Sequence, residues 1–186
     1  MVAELKRLFL GVAVDSQVKA MLAQHLASWT VPGKLVPADN WHLTIRFLGS
    51  LDETRTEILA ARIDQTDLGP PFTLVLGEMG AFPASNRANV LWLGVDDQAQ
   101  GLNGLNSVIE EACRDSGLPP EERPFSAHLT LSRLRPPESV VNLIASYGGL
   151  RFQWTVKELT LFESRPGPIY DRIERFPLRP QASSRR

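Results

Sequence analysis

Apolar positions along the chain alternate with polar ones in some stretches and recur at helical spacing in others. Leu5–Val14 is rich in apolar and β-favouring residues and predicts an opening strand that ends at Asp15-Ser16. From Val18 to Trp29 the apolar residues recur at near-helical spacing, so we predict an amphipathic helix that Asp15-Ser16 caps. The residues Val31-Pro32-Gly33 end that helix.

The remaining elements follow from the same patterns of apolar spacing and turn residues. Predicted strands cover Trp41–Gly49, Phe72–Leu76, Val90–Val95, Ala127–Arg133, Phe152–Phe162 and Ile169–Leu178. Three further helices are predicted. The first begins at Asp52-Glu53, the second runs from Leu102 through Cys113 and ends near Gly117, and the third covers Glu138–Tyr147. A loop that contains Pro83, Ser85, Asn86 and Arg87 joins the third and fourth strands. We expect a disordered polar tail over residues 179–186.

Both halves of the chain mix strands with helices, and no linker rich in Gly or Ser separates them. The tripeptide His-Leu-Thr occurs twice, at residues 42–44 and 128–130, each time inside a predicted strand. The sequence therefore predicts an α+β fold with an internal pseudo-repeat, in which residues 1–178 form a single domain with two lobes.

Composition and charge narrow the possible functions. The chain has 186 residues, of which 43% are hydrophobic and 22% charged, which fits one domain or two closely paired lobes. The net charge of −1 excludes a global positive field for long nucleic acids, so any such contact is local. The single cysteine, Cys113, cannot form an internal disulfide and is expected to be a buried thiol. Leu8–Val14 is too short to span a bilayer and no signal peptide is recognisable, so we expect a soluble cytoplasmic protein without a membrane partner.

Two of the three histidines share one local setting, an apolar strand with threonine two residues later. Because side chains alternate along a strand, His42 and Thr44 lie on one face, and so do His128 and Thr130. The leucine between each pair points the other way, into packing. If the two strands lie close together, two imidazoles and two hydroxyls face one cleft.

This pair of imidazoles suits general acid-base chemistry on a phosphate. Imidazole titrates near pH 6.5, so one histidine can take a proton from water while the other donates one to a leaving oxygen. General acid-base catalysis accelerates a reaction roughly 10²- to 10⁴-fold, which can suffice to hydrolyse a strained cyclic phosphodiester without a metal ion. Hydroxyls and an arginine would bind the phosphoryl oxygens.

Other readings of the histidines need to be weighed. A strand histidine is more often structural than catalytic, but a core does not require the same polar pair twice, and the repeat therefore favours catalysis. His25 has no threonine partner and is expected to be structural. The His and Cys clusters of zinc sites and the glycine-rich loops of nucleotide sites are missing, so we predict neither metal nor cofactor.

Several segments around the two repeats resemble one family. These are Arg7-Leu8-Phe9, Asp39 to Gly49, Gly80 to Pro83, Val90 to Gly94, Arg123 to Arg133, and Leu161 to Ser164. With them the chain resembles, over nearly its whole length, the 2H phosphoesterases and, among these, the RNA 2′,3′-cyclic phosphodiesterase (2′-5′ RNA ligase) family. Each His-x-Thr motif is weak alone, whereas two in register with the surrounding segments are strong.

The resemblance implies a fold, an activity and site residues. It implies two lobes, each an antiparallel sheet backed by helices, around a central cleft. His42 would protonate the departing O3′ and His128 would accept a proton from water, opening an RNA 2′,3′-cyclic phosphate to a 2′-phosphate without a cofactor. Thr44 and Thr130 would bind the phosphate together with Arg133. The same site could join RNA ends through a reversible 2′-5′ linkage. The expected partner is an RNA end, on a tRNA fragment for example, or a small cyclic nucleotide, and we expect a monomer.

Three further positions depend on strand geometry. Five residues after His128, a regular strand would aim Arg133 away from the cleft, so we predict a bulge or strand end near Ser132. Arg46 has the parity of a cleft residue and is either an RNA backbone contact or a solvated charge at the rim. Phe47 matches an aromatic that lines the family's cleft, but its parity favours a core position.

Two alternatives to this activity stay open. One is a related phosphodiesterase that acts on a small cyclic nucleotide or an ADP-ribose cyclic phosphate. The other is a module that binds RNA ends without catalysis. Substitution of the two histidines separates the second alternative from an enzyme, and the salt dependence of turnover on oligonucleotides and mononucleotides separates the first.

Overall fold

The computed structural model describes residues 4–167 and 169–179. Residues 1–3 and 180–186 lie outside this part, so the boundaries predicted for a domain at 1–178 and a tail at 179–186 stay predictions. Arg179, assigned to that tail, donates a backbone hydrogen bond of 3.0 Å to the Gly69 carbonyl oxygen.

The helices and most strands follow one another in the predicted order, with a short additional strand at Lys34–Leu35. The strands are β1 (Lys6–Ala13), β2 (Lys34–Leu35), β3 (His42–Leu51), β4 (Phe72–Ala84), β5 (Arg87–Asp96), β6 (His128–Glu138), β7 (Phe152–Val156), β8 (Glu158–Arg165) and β9 (Ile169–Pro177). The helices are α1 (Ser16–Ala27), α2 (Glu53–Asp64), α3 (Gly101–Asp115) and α4 (Val141–Ser146), with a short 3-10 turn at Ala38–Asn40.

The strands form two antiparallel halves that meet at the two histidine-bearing strands. One half has the order β3-β1-β8-β9, and the other has the order β6-β5-β4-β7. They join where Leu43 of β3 pairs with Leu129 of β6, while β2 pairs with Ser132 and Arg133 farther along the same edge of β6. The predicted α+β fold with two antiparallel lobes is confirmed.

Helices pack on the face of the sheet that carries Leu43 and Leu129. Helix α3 packs on β3, α2 packs on α3 and β9, and α1 packs on β7. Leucines buried on the sheet, such as Leu43 and Leu129 at 0% exposure, meet the apolar faces of these helices. Since α1 follows β1 but packs on β7, and α3 follows β5 but packs on β3, each of these helices supports the lobe opposite to its preceding strand.

Aspartates begin the first two helices, as predicted. The Asp15 carboxylate accepts the backbone N–H of Gln17 at 2.8 Å, and that of Asp52 accepts the N–H of Arg55 at 2.8 Å. These bonds satisfy N–H groups that have no partner within a helix. Within the described residues, no helix has both the length and the apolar character needed to cross a membrane.

Three boundaries differ from the prediction. At the first, β6 runs on past Arg133 to Glu138, so the helix predicted from Glu138 begins only at Val141. The loop predicted through Pro83 and Arg87 is wrong, because β4 and β5 extend into a long hairpin whose turn is only Ser85 and Asn86. The strand predicted over Phe152–Phe162 is two strands, because the chain leaves β7 at Lys157 and starts β8, which pairs with β1 instead of β4.

Candidate active site

The two repeats come together at the junction of the lobes. His42 and His128 open β3 and β6, which pair antiparallel at Leu43 and Leu129. In an antiparallel pair the flanking residues lie opposite each other, which sets His42 across from Thr130 and Thr44 across from His128. All four side chains line one cavity of about 830 Å³. The predicted convergence of two imidazoles and two hydroxyls is therefore what the fold produces.

Both imidazoles are oriented by a backbone carbonyl two residues upstream. Nδ1 of His42 lies 2.7 Å from the Asn40 carbonyl oxygen, and Nδ1 of His128 lies 2.8 Å from that of Ser126. A carbonyl only accepts, so each Nδ1 carries a hydrogen and Nε2 is left for proton transfer. Nε2 of His42 lies 3.2 Å from the Thr44 hydroxyl oxygen. Sequence reasoning missed these two carbonyls, since a backbone acceptor leaves no residue-type signal.

The surroundings of His42 favour its neutral form. Burial lowers the pKa of His42 to about 4, and the positive charges of His128, Arg133 and Lys19 act in the same direction. The hydrogen bond to the Asn40 carbonyl opposes them by favouring the charged imidazole. At neutral pH this imidazole therefore carries no charge unless an anion binds beside it.

A bulge in β6 brings Arg133 to the cavity, as predicted. Thr130 pairs with Trp92 and Ser132 with Leu91, so Leu131 is an extra residue on β6. The extra residue reverses the alternation of side chains. Ser132 is consequently buried, while Arg133 is exposed and lines the cavity.

The same bulge occurs in β3 and moves Phe47 to the cavity. Thr44 pairs with Gly11 and Arg46 with Leu10, which leaves Ile45 as the extra residue. Phe47 is 56% exposed and lines the cavity, so the prediction of a core position is wrong. The repeat itself carried the missing signal, because a bulge inferred for one His-x-Thr strand applies to its counterpart.

Arg46 takes the position that the bulge turns inward. It is 6% exposed, so the predicted solvated charge at the rim is wrong. The bulge turns its side chain inward, although Arg46 still forms part of the cavity lining. Its Nε lies 2.6 Å from Glu110 Oε1 and its Nη1 lies 3.2 Å from Glu121 Oε2. The Nε–H does not point at the Glu110 oxygen, so that contact is ionic and not an aligned hydrogen bond. The guanidinium of Arg46, for which an RNA backbone contact was one predicted alternative, is therefore paired with two carboxylates.

Aromatic rings surround each catalytic candidate. The ring of Phe9 lies 4.6 Å from that of His42, and Tyr170 meets His42 edge-on at 5.1 Å. On the other side, Phe82 meets the ring of His128 edge-on at 5.2 Å. Sequence reasoning did not assign these three residues to the site. Phe9 and Phe82 nevertheless lie in two of the segments that carry the family resemblance.

Charged residues of both signs line the same cavity. The cations include Arg7, Arg114, Arg123 and Arg133, and the anions include Glu110 and Glu121. Among the described residues, no group of three or more His, Cys, Asp or Glu side chains has the geometry to hold a metal ion. The cavity therefore offers a local positive surface on a chain whose net charge is close to zero.

The two remaining candidates lie away from the chemistry. Cys113 is 1% exposed, and burial raises the pKa of its thiol to about 11, which agrees with the predicted buried thiol. His25 is exposed on α1, where its ring lies 5.7 Å from that of Phe152.

Comparison with known proteins gives consistent matches over most of the chain. A family profile described as "LigT like Phosphoesterase" matches residues 12–92 and 93–170. The chain is 32% identical to the RNA 2′,3′-cyclic phosphodiesterase of Escherichia coli K12, over 87% of this chain and 89% of that protein. It is 30% identical to the protein of the same name from Aeropyrum pernix, over 81% of this chain and 89% of that protein. The crystal structure of E. coli LigT complexed with 3′-AMP has a TM-score of 0.79 and 28% identity, covering 94% of this chain and 99% of that one.

Proposed function

The chain belongs to the LigT-like phosphoesterase family, and from this membership we propose that it hydrolyses RNA 2′,3′-cyclic phosphate ends to 2′-phosphate ends. The observation that carries the proposal is the shared cavity of His42 and His128, each with Nδ1 engaged by a carbonyl and Nε2 available. Two relatives that match over more than four fifths of this chain bear the name RNA 2′,3′-cyclic phosphodiesterase.

The proposed reaction is a single displacement at phosphorus. Nε2 of His128 accepts a proton from water, and the water oxygen forms a bond to phosphorus while the bond from phosphorus to O3′ breaks. Nε2 of His42 donates its proton to O3′, which leaves as the 3′-hydroxyl. The phosphate stays on O2′. One proton leaves water and one reaches the ribose, so the two histidines exchange protonation states in each turnover.

Three side chains are proposed to bind the phosphoryl oxygens. Thr44 and Thr130 offer hydroxyl donors beside the two imidazoles, and Arg133 offers a fixed positive charge. Charge-assisted hydrogen bonds of this kind are roughly twice as strong as neutral ones. They would therefore stabilise the negative charge that develops on the oxygens in the transition state.

The lowered pKa of His42 sets a condition on its role as proton donor. A neutral imidazole cannot donate, so the anionic phosphate has to raise the pKa of His42 when it binds. This coupling would charge the donor only when substrate is present. The assignment of His42 as the proton donor and His128 as the proton acceptor is accordingly part of the proposal.

Aromatic and basic residues support an RNA end as substrate. Phe47 and Phe82 are 56% and 37% exposed at the cavity and offer ring faces on which bases can stack, while Tyr170 lies beside His42. Arg7 and Arg123 line the same cavity at positions open to further phosphates. With a 5′-hydroxyl in place of water as the nucleophile, the same displacement would join a cyclic phosphate end to a second RNA through a 2′-5′ linkage, and the reverse of that step would cleave the linkage.

The test is an end-group assay on a short RNA that carries a 2′,3′-cyclic phosphate. We expect the cyclic end to disappear and a 2′-phosphate to form, identified by ³¹P NMR and chromatography against synthetic 2′- and 3′-phosphate standards. The matched control is His25→Ala, which removes an imidazole outside the cavity and should retain full turnover. A 3′-phosphate product would contradict the assignment of O3′ as the leaving group.

The same assay separates the alternatives. Turnover of a mononucleoside 2′,3′-cyclic phosphate or an ADP-ribose cyclic phosphate at a higher kcat/KM than the oligonucleotide would favour the small-substrate enzyme. An RNA substrate with contacts beyond the scissile phosphate should instead show the steeper decline of kcat/KM with salt. Tight binding of the RNA end without any turnover would identify a binding module.

A further inference from the structure

The repeat contains a second pair of equivalent polar residues, two positions after each threonine. Arg46 follows Thr44 and Ser132 follows Thr130, and both are buried, at 6% and 0% exposure. The bulge at Ile45 or at Leu131 is what turns each of them inward. A buried polar side chain is costly unless it is bonded, so the partners of these two residues are informative.

Each of the two residues bonds the segment that leads into the histidine of the other strand. Nη2 of Arg46, on the strand of His42, donates to the Pro119 carbonyl oxygen, which precedes His128. The hydroxyl of Ser132, on the strand of His128, donates to the Pro32 carbonyl oxygen, which precedes His42. In each case the bonded segment follows a helix that packs on the lobe of the bonding residue, and the chain then crosses to the other lobe, where its histidine begins a strand.

The segment before His128 is held by Arg46 at several points. Glu121, paired with Arg46 at 3.2 Å, accepts the backbone N–H of Arg123 at 3.4 Å. That segment ends at Ser126, whose carbonyl orients the His128 ring. It also supplies Arg123, Pro124, Phe125 and Ser126 to the cavity wall. A shift of this segment would therefore move the ring of His128.

The segment before His42 is held by the strand of Ser132 in the same way. Lys34 and Leu35 pair with Arg133 and Ser132, and the backbone N–H of Val36 donates to the Leu131 carbonyl at 2.8 Å. Trp41 then donates its indole N–H to the Val36 carbonyl at 3.0 Å. The segment ends beside Asn40, whose carbonyl orients the His42 ring.

Direct pairing between the two strands is short. In the described part of the chain, β3 and β6 have one paired position, Leu43 with Leu129. By contrast, β1 and β3 pair over the whole length of β1. Because so short a ladder constrains the lobes weakly, their spacing has to be fixed by contacts on either side of it.

We propose that Arg46 and Ser132 are reciprocal positioning residues, each on the strand of one histidine and each orienting the histidine of the other strand across the lobe junction. Neither residue is assigned a contact with the reacting atoms. Both act through the segment that ends at the carbonyl of Ser126 or of Asn40.

Histidine ring NMR tests this reciprocity directly. The ¹⁵N and ¹³Cε1–¹H signals of the rings are compared at pH 8.5 between the wild type and the variants Arg46→Met and Ser132→Ala. We expect Arg46→Met to move the His128 signals more than those of His42, and Ser132→Ala to move the His42 signals more. A role confined to local packing predicts the opposite order, because Arg46 lies on the strand of His42 and Ser132 lies on the strand of His128.

Matched controls remove equivalent bonds elsewhere. Arg62→Met breaks the exposed ion pair with Asp115, and Ser107→Ala removes a hydroxyl bond of 2.9 Å to the Asn103 carbonyl on α3. Neither should move either set of ring signals. If Arg46→Met does not fold, Glu121→Gln removes only the charge at the far end of the contact and should move the His128 signals alone.

Kinetics on the cyclic phosphate RNA form a second arm, which rests on the proposed function. Misplacing one imidazole should lower kcat about ten- to hundredfold with a smaller change in KM, and Arg46→Lys should recover part of the loss. If the wild type does not hydrolyse the RNA, the NMR arm still decides the positioning role. Ring signals that stay unchanged in folded Arg46→Met and Ser132→Ala, or that move only on the mutated strand, would overturn the proposal.

Discussion

Replacing His42 by asparagine tests the electrostatic environment of the candidate site through stability. The asparagine amide can still donate to the Asn40 carbonyl, as Nδ1 does now at 2.7 Å, while the titrating ring is lost. The variant therefore separates the charge of His42 from the hydrogen bond that holds it.

The magnitude follows from the pKa of His42. Burial lowers this pKa from 6.5 to about 4, so between these values the unfolded chain binds a proton that the folded chain does not. Stability is therefore complete above about pH 7 and falls as the pH drops towards 4. The separation of the two pKa values corresponds to about 3 kcal/mol of unfolding free energy lost near pH 4.

The assay is urea unfolding followed by the fluorescence of the four tryptophans, at pH 7.5, 6, 5 and 4. The free energy of unfolding of the wild type minus that of His42→Asn should decrease by about 3 kcal/mol from pH 7.5 to 4. A His25→Asn control removes an exposed imidazole and corrects for the loss of a histidine as such. A pH-dependent difference smaller than about 1 kcal/mol, near the precision of the extrapolation, would refute the lowered pKa of His42.

Three further outcomes are expected. Phe47→Ala should raise KM for the RNA about tenfold through lost base stacking, while the free energy of unfolding changes little. The control Ile58→Ala removes a comparably exposed side chain on α2 and should leave both KM and stability unchanged. Equal KM values for Phe47→Ala and the wild type would exclude Phe47 from the site. Arg133→Met should lower kcat/KM about tenfold or more through a lost charge-assisted bond to phosphate, and a change below about twofold would exclude that contact. Dialysis against EDTA should leave the turnover of the cyclic phosphate RNA unchanged, and a loss restored by added divalent cation would contradict the metal-independent mechanism.

Period and composition were sufficient to predict where most elements lie. His-Leu-Thr in two apolar strands predicted that two imidazoles and two hydroxyls share faces, and the fold brings them to one cavity. The bulge predicted near Ser132 is present. It was predicted because regular alternation would have pointed Arg133 away from the cleft that the family resemblance implies for it. Local rules succeeded here since strand alternation depends on few residues.

The failures have a common physical cause. Alternation was assumed to continue through β3, so the bulge at Ile45 exchanged the faces of Arg46 and Phe47. The burial of Arg46 depends on carboxylates 64 and 75 positions away in the chain, at Glu110 and Glu121, and no local pattern encodes such a contact. The break at Lys157 likewise depends on which strands are free to pair, which is a property of the assembled sheet.

The most direct measurement is single-turnover hydrolysis of a 2′,3′-cyclic phosphate RNA by His42→Ala, His128→Ala and the double variant. Each single substitution should lower the rate constant by roughly 10²- to 10⁴-fold. The double variant should lose much less than the product of the two effects, because both imidazoles act in one displacement. Either single variant retaining a rate within about tenfold of the wild type, while His25→Ala is unaffected, would contradict two-histidine catalysis at this cavity.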